Sequence, residues 1–122
     1  MDEIRDFATK LFDLARAGDA TLLDYIAQGV NVDMVNQDGQ SFIMLAAYHG
    51  HAELVSQLAA AGADVNLLND RGQSPLAGAI FKKEDAVVDA LLNAGADAHA
   101  GQPNALDSAR KFGREDLLER LS

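Results

Sequence analysis

The chain of 122 residues predicts an all-α solenoid: four helix pairs in a row, joined by short hairpin-like connections. Three features of the sequence point there. A motif recurs at one fixed spacing, that from Gly39 to Gly72, without a gap. Within each copy apolar residues fall at helical spacing twice, and Ser, Pro and Gly stand where two short helices would start and stop. The segment DGQSFIMLAAYHGHAELVSQLAAAGADVN, from Asp38, aligns with RGQSPLAGAIFKKEDAVVDALLNAGADAH, from Arg71. Gly39 falls on Gly72, Gln40 on Gln73, Ser41 on Ser74, Ala46 on Ala79, Val55 on Val88 and Leu58 on Leu91. Gly62-Ala63-Asp64 falls on Gly95-Ala96-Asp97.

The first copy, 1–33, is degenerate: Gly18, Leu22, Leu23 and Ile26 precede Gly50, Leu54, Val55 and Leu58 by one position less than the full period. Gly29 regains the full offset from Gly62, so the shortening falls between Ile26 and Gly29. In the second copy (34–66), Phe42, Ile43, Leu45, Ala46 and Ala47 make a short first helix. Ser41 is its N-cap, as Ser74 is in the third copy (67–99), where Pro75 takes the first-turn position at which a missing N–H costs nothing. Gly50 breaks the chain. Leu54, Val55 and Leu58, and in the third copy Val87, Val88, Leu91 and Leu92, then form the apolar stripe of a second helix. Gly62 and Gly95 stand where a left-handed residue would end it. VNLLNDRG is turn-rich and should project as a hairpin. The fourth copy, 100–122, is truncated: AHAGQPN replaces the longer connection. Gly113, Leu117, Leu118 and Leu121 therefore follow their second-copy equivalents by slightly less than two periods.

Helices of about ten residues are marginal in water, so the copies must stack to be stable, Ala faces allowing close approach and Leu/Val stripes forming a shared core. End copies should then be polar on their free side. Asp2, Glu3, Arg5, Asp6 and Lys10 open the first, and Arg114, Glu115, Asp116, Glu119 and Arg120 surround the apolar residues of the last.

Composition excludes several classes of function. There is no cysteine, hence no disulfide, thiolate metal site or cysteine nucleophile. No run approaches the length of a membrane span, and MDEIRDFATKLF lacks the order of a signal peptide, so a cytoplasmic protein is expected. The net charge is −9, and it is uneven. Between Arg16 and Arg71 there is no Lys or Arg, while Asp19, Asp24, Asp33, Asp38, Glu53, Asp64 and Asp70 all lie in that window. Such a surface repels phosphate backbones and anionic headgroups, which argues against nucleic acid and membranes, and it would steer a partner with a basic patch. The same acidity also serves solubility alone.

The repeat resembles the ankyrin repeat. Asp38, Gly39, Ser41, Leu45, Ala46, Ala47, Gly50, His51, Val55, Leu58, Gly62, Ala63, Asp64 and Asn66 follow that family's pattern. Gly72, Ser74, Pro75, Leu76, Ala79, Val88, Leu91, Leu92, Gly95, Ala96 and Asp97 follow it again, and the likeness runs from residue 12 to 121. The compact form is similar to small stand-alone bacterial ankyrin proteins. The resemblance implies a non-catalytic module that grips a partner protein through hairpin tips and the first-helix face. It also suggests an alternative, a structural or accessory subunit of a larger complex, linked to a haem enzyme such as catalase. Two departures stand out: the family's T-P-L-H reads Ser41-Phe42-Ile43-Met44 and Ser74-Pro75-Leu76-Ala77, and Gly50-His51 becomes Lys83-Glu84. Loss of the histidine would remove a side chain that the family uses to brace the hairpin.

Chemical readings find little support. His49, His51 and Glu53 could be read as metal ligands, but a site needs three or four converging groups, and His51 matches the family's structural histidine. His99 is alone. Asp24, Asp64 and Asp97 could be imagined as acid–base pairs, but Asp64 and Asp97 recur at equivalent positions, as structural residues of a repeat do. Copies stacked about 10 Å apart are too loosely spaced for shared proton chemistry. Ser41 and Ser74 are better explained as caps than as nucleophiles, and no phosphate-binding or nucleophile-elbow motif occurs. No enzyme, cofactor or metal is expected.

Residues that depart from the repeat are the more telling candidates for binding, and hairpin-tip positions add to them. Tyr48 and His49 precede Gly50; Phe81 and Lys82, then Lys111 and Phe112, are their counterparts. In the family pattern these positions face the concave groove, where aromatics act as rigid anchors. Val35, Gln37, Gln40, Leu68, Arg71 and Gln73 fall at hairpin tips, preceded by Met34 and Leu67. The alternative is that Tyr48 and Phe81 merely cover neighbouring helices, with Met34 and Leu67 tucked beneath. A monomer is expected.

Overall fold

In a computed structural model, described for residues 2–121, every element of regular secondary structure is a helix. They run in pairs: α1 (Asp2–Ala17) with α2 (Thr21–Ala27), α3 (Phe42–Tyr48) with α4 (Ala52–Ala60), α5 (Pro75–Phe81) with α6 (Asp85–Asn93), and α7 (Ala105–Lys111) with α8 (Glu115–Leu121). The first helices form one layer, in which α3 packs on α1 and α5, and α5 on α7; in the second layer α4 packs on α6.

Local chemistry sets the ends of these helices. Ser41 Oγ accepts from Met44 N at 3.2 Å and Ser74 Oγ from Ala77 N at 3.1 Å, as the sequence predicts. Asn104, which the repeat did not single out, does the same for α7, its Oδ1 accepting from Asp107 N at 2.9 Å. At the other end of α4, Gly62 N donates to Ala59 O and Ala63 N to Leu58 O, the paired bonds of a Schellman motif, with Gly62 at φ +99°. The same pair of bonds closes α3, α5, α6 and α7.

The layers bury what the period brought inward. Ala15, Ala46, Ala79 and Ala109, one from each first helix, have no exposed surface, which is why the side chain there must be small. Phe42, Ile43, Leu54, Val55, Leu58, Leu76, Ile80, Val87, Val88 and Leu91 are sealed between the layers, each worth roughly 1.5–3 kcal/mol of burial. Phe12 and Phe42 meet at 5.0 Å between ring centroids and tie the first pair to the second.

The connections that lead into α3 and α5 are stapled hairpins. Asn36 Oδ1 accepts from Asp38 N and Gln40 N, and Asn69 Oδ1 from Arg71 N and Gln73 N. Val35 and Ser41 form an antiparallel bridge across the first hairpin. Neighbouring hairpins are joined by Asp70 N to Asp38 O (3.2 Å) and Gln102 N to Gly72 O (2.9 Å). Asp64 and Asp97 each accept from the amide two positions on, through Asn66 N and His99 N. A second set of bonds runs from copy to copy, Asp64 N to Asp33 Oδ1 and Asp97 N to Asn66 Oδ1.

Three features differ from the expectations above. The first helix has 16 residues where the other first helices have seven. Its added turns carry Glu3, Arg5, Asp6 and Lys10 in solvent, but Ile4 and Phe7 as well, so that end is not wholly polar; the Asp2 side chain lies outside the described residues. Phe7 meets Tyr25 edge-on at 5.4 Å and secures this extension over α2.

The second concerns His51, which braces the preceding helix pair and not the hairpin. Its Nε2 donates to the Arg16 carbonyl at 2.7 Å, and its ring lies over Gly18, where a Cβ would stand 2.5 Å from Nδ1. Glu84 lies over Gly50 in the same way, so the position keeps its packing role while losing the imidazole. The third is Lys83, which occupies the left-handed turn held by Gly18, Gly50 and Gly113 in the other copies, at φ +59°.

The last pair is clamped by ions. Arg114 bridges Asp85 (3.0 Å) and Asp116 (3.1 Å), and Arg120 reaches Asp89 at 2.6 Å, so two arginines of the final copy grip α6 of the third. Arg114 holds the Asp116 carboxyl below the ordinary carboxylate value and is itself held more firmly protonated than a free arginine.

Candidate functional site

The inner faces of α3, α5 and α7 and the inner sides of the hairpins enclose a groove of about 510 Å³. Its floor is made by Met44, Ala77, Gly78 and Ser108, one helical turn before the residues at its rim. Small side chains at 77 and 78 leave the space open. Tyr48, Phe81, Lys111 and Phe112 form the helical rim, and Gln40, Asn69, Arg71, Gln73 and Pro103 the hairpin wall.

Tyr48 and Phe81 are 42% and 58% exposed, so neither ring is sealed away from solvent. Their setting is ordered by contact between copies. The Lys82 ammonium sits over the Tyr48 ring at 4.8 Å, Phe81 meets Phe112 edge-on at 5.7 Å, and Lys111 lies over Phe112 at 5.9 Å. His49 packs edge-on against Tyr48 at 5.5 Å. Partial burial, then the neighbouring His51, Arg16 and Lys82, lower the His49 pKa below its ordinary value of 6.5.

Of the candidate residues, Tyr48, Phe81, Gln40, Arg71 and Gln73 line the groove together. His49 and Lys82 flank its rim through their contacts with Tyr48. Gln37, Val35 and Leu68 lie outside the lining, exposed on the hairpins, while Met34 packs against the core and Leu67 is half-buried. Sequence reasoning missed Met44, Asn69, Ala77, Gly78, Pro103 and Asp107, and did not commit to Lys111 and Phe112. The last two were legible: the offset that carries Gly50 onto Gly113 also carries Tyr48 and His49 onto them. Pro103 comes from the shortened connection, which has no counterpart in the repeat to mark it.

The histidines take separate partners, His51 the Arg16 carbonyl and His49 the Tyr48 ring. Among the described residues no three His, Asp or Glu side chains converge as a metal site would require, and no helix is long and apolar enough to cross a membrane. What the groove offers is shape, aromatic surface and hydrogen-bond donors.

Comparison with known proteins agrees with this architecture. The family model for ankyrin repeats in three copies matches residues 11–102. A putative ankyrin repeat protein of Pseudomonas aeruginosa is 44% identical over 54 residues, covering 43% of this chain and 32% of that protein. The crystal structure of the human ASB11 ankyrin repeat domain superposes with a TM-score of 0.74 at 33% identity, over 91% of this chain and 52% of that one. The chain thus spans about a third of the length of the bacterial relative and about half that of the human domain. With a family match over most of its length and stacked helix pairs to carry it, the chain belongs to the ankyrin-repeat family, whose repeats are in general non-catalytic modules for protein–protein interaction.

Proposed function

We propose that this chain is a binding module without catalytic activity that docks a partner protein in the concave groove, acting as a single copy. The observation that carries this reading is the pair Tyr48 and Phe81, exposed at the rim of the groove yet each in contact with a side chain of the next copy. Aromatic side chains have few rotatable bonds and these two are already packed on one side, so little freedom is lost on binding and burial of their free faces is retained as affinity. Gln40, Arg71 and Gln73 supply polar contacts from the opposite wall, with His49 and Lys82 at the margin, and Gln37, Val35 and Leu68 give an outer hairpin surface to a larger partner. The acidic window ahead of Arg71 favours encounter with a partner whose facing surface is basic.

The test is affinity capture from a cytosolic extract with the wild-type chain and with Tyr48→Ala/Phe81→Ala, helicity being checked by circular dichroism. Truncation of two hot-spot aromatics costs about 2–4 kcal/mol, so the captured protein should fall by well over tenfold. Equal capture by a folded double variant would exclude the groove. Recovery of one protein at a fixed stoichiometric ratio would make the chain an accessory subunit of that assembly.

A further inference from the structure

The groove does not share the electrostatics of the chain. The molecule carries −9, yet Arg71 and Lys111 line the groove and Lys82 stands at its rim over Tyr48. Among the described residues none of these three has a carboxylate within ion-pair distance, whereas Arg16, Arg110, Arg114 and Arg120 all do. Asp107, the only acidic side chain in the lining, is engaged with Arg110 at 3.7 Å.

The amides point the same way. Gln40 Oε1 accepts from Asn36 Nδ2 (3.5 Å) and Gln73 Oε1 from Asn69 Nδ2 (2.8 Å), so each glutamine turns its acceptor to its own hairpin and keeps its NH₂ donors. The hairpin wall thus presents donors, and the rim presents cations beside the faces of Tyr48, Phe81 and Phe112. A site of this make-up selects acceptors and negative charge together with apolar surface. Its volume is that of a pocket for a drug-sized molecule, room for a short stretch of extended chain.

We infer that the groove takes an acidic, extended segment of a partner protein, its carboxylates on Arg71, Lys111 and Lys82 and an aromatic or aliphatic side chain between Tyr48, Phe81 and Phe112. The inference rests on the groove being the docking site and adds the chemistry of what enters it. A polyanion such as DNA would also meet the cations, but the acidic remainder of the chain opposes its long backbone, whereas a short acidic segment needs only the groove. The partner is then charge-polarised: acidic where it enters, and basic where it overlies the first two copies. That polarity fixes its orientation along the array.

The experiment selects short random peptides from a display library on the full chain. Selected peptides are then assayed by fluorescence anisotropy against wild type, Arg71→Glu/Lys111→Glu and Tyr48→Ala/Phe81→Ala, with a DNA oligomer as competitor. All four positions are at the surface, so the fold should survive, and circular dichroism confirms it. Enriched peptides should be rich in Asp and Glu next to Phe, Tyr, Leu or Met. Both variants should weaken their binding about tenfold or more, the charge-reversal variant by replacing two partly exposed attractions with repulsions. Neutral or basic peptides that still depend on Tyr48 and Phe81 would overturn the acidic segment and leave the groove in place. Peptides indifferent to both variants, or no enrichment over an unrelated protein, would overturn both. Insensitivity to charge reversal alone, or displacement by DNA at lower concentration than by peptide, would overturn the inference as well.

Discussion

Lys83→Gly should stabilise the protein, and the reason lies in one backbone angle. Four turns between paired helices have the same design, and three carry glycine at φ between +68° and +81°; the fourth holds Lys83 at +59°. The turn bonds are intact there, Lys83 N to Ile80 O at 3.1 Å and Glu84 N to Ala79 O at 2.9 Å, so the lysine is held in the left-handed region by the packing on either side. For an L-residue this conformation costs roughly 1–2 kcal/mol. Glycine relieves that cost but restores about 0.5–1 kcal/mol of freedom to the unfolded chain. Among the described residues Lys83 has no ion pair or ring contact to lose. The net gain is therefore about 0.5–1 kcal/mol, or about 2–4 °C in Tm for a domain of this size. Urea and thermal unfolding followed by far-UV circular dichroism would measure it. Lys83→Ala is the control, because it removes the charge and keeps the strain. Equal stabilisation by both would assign the effect to relief of repulsion from Lys82 and refute the backbone argument; no gain from glycine would refute it outright.

Two other substitutions probe the remaining geometry. Gly101 and Gly62 both have positive φ, but a Cβ at Gly101 would lie 2.8 Å from the Gly72 carbonyl oxygen, whereas at Gly62 it meets open space. Gly62→Ala should cost about 1 kcal/mol, and Gly101→Ala about 2–3 kcal/mol, since the Gln102–Gly72 bond must yield too; equal losses in urea unfolding would contradict the close approach. His49 gives a pH signature. Its folded-state pKa lies below the ordinary 6.5, so as the pH falls the unfolded chain takes up the proton first. The stability it contributes is full above about 6.5 and declines as the pH drops through the folded value, while the depressed Asp19 and Asp116 act only near and below 3.8. In His49→Gln the decline between neutral and mildly acidic pH should shrink, and an unchanged profile would dismiss the imidazole as its source.

How far each level of description reaches can be judged from particular residues. The fixed repeat spacing, Ser41, Ser74 and Gly62 made the helix pairs legible, because capping and left-handed turns act over a short span of chain. Repetition then implied the stacking, since what one copy cannot bury alone the next must cover. The length of α1 was not legible. DEIRDFATKLFDLARA has neither Gly nor Pro to stop a helix, and whether Ile4 and Phe7 join one depends on Tyr25 being there to receive Phe7. Nor could the residues show that His51 would reach back to Arg16 and not to its own hairpin, a bond across 35 positions of sequence.

The same division holds for the candidate site. Tyr48, Phe81 and Arg71 stand out in the sequence by departing from the repeat pattern, and Gln73 by its place at a hairpin tip, which needs no coordinates to see. That they share one groove, with Lys82 placed on Tyr48, emerged only when the copies were stacked. The repeating unit and its period are properties of the bare chain, for they depend on short-range backbone chemistry and on the count of apolar positions. The local charge of the concave face is not. Among the described residues Arg110, Arg114 and Arg120 lie within ion-pair distance of carboxylates and Arg71, Lys82 and Lys111 do not, a selection made by distances in space that composition cannot express.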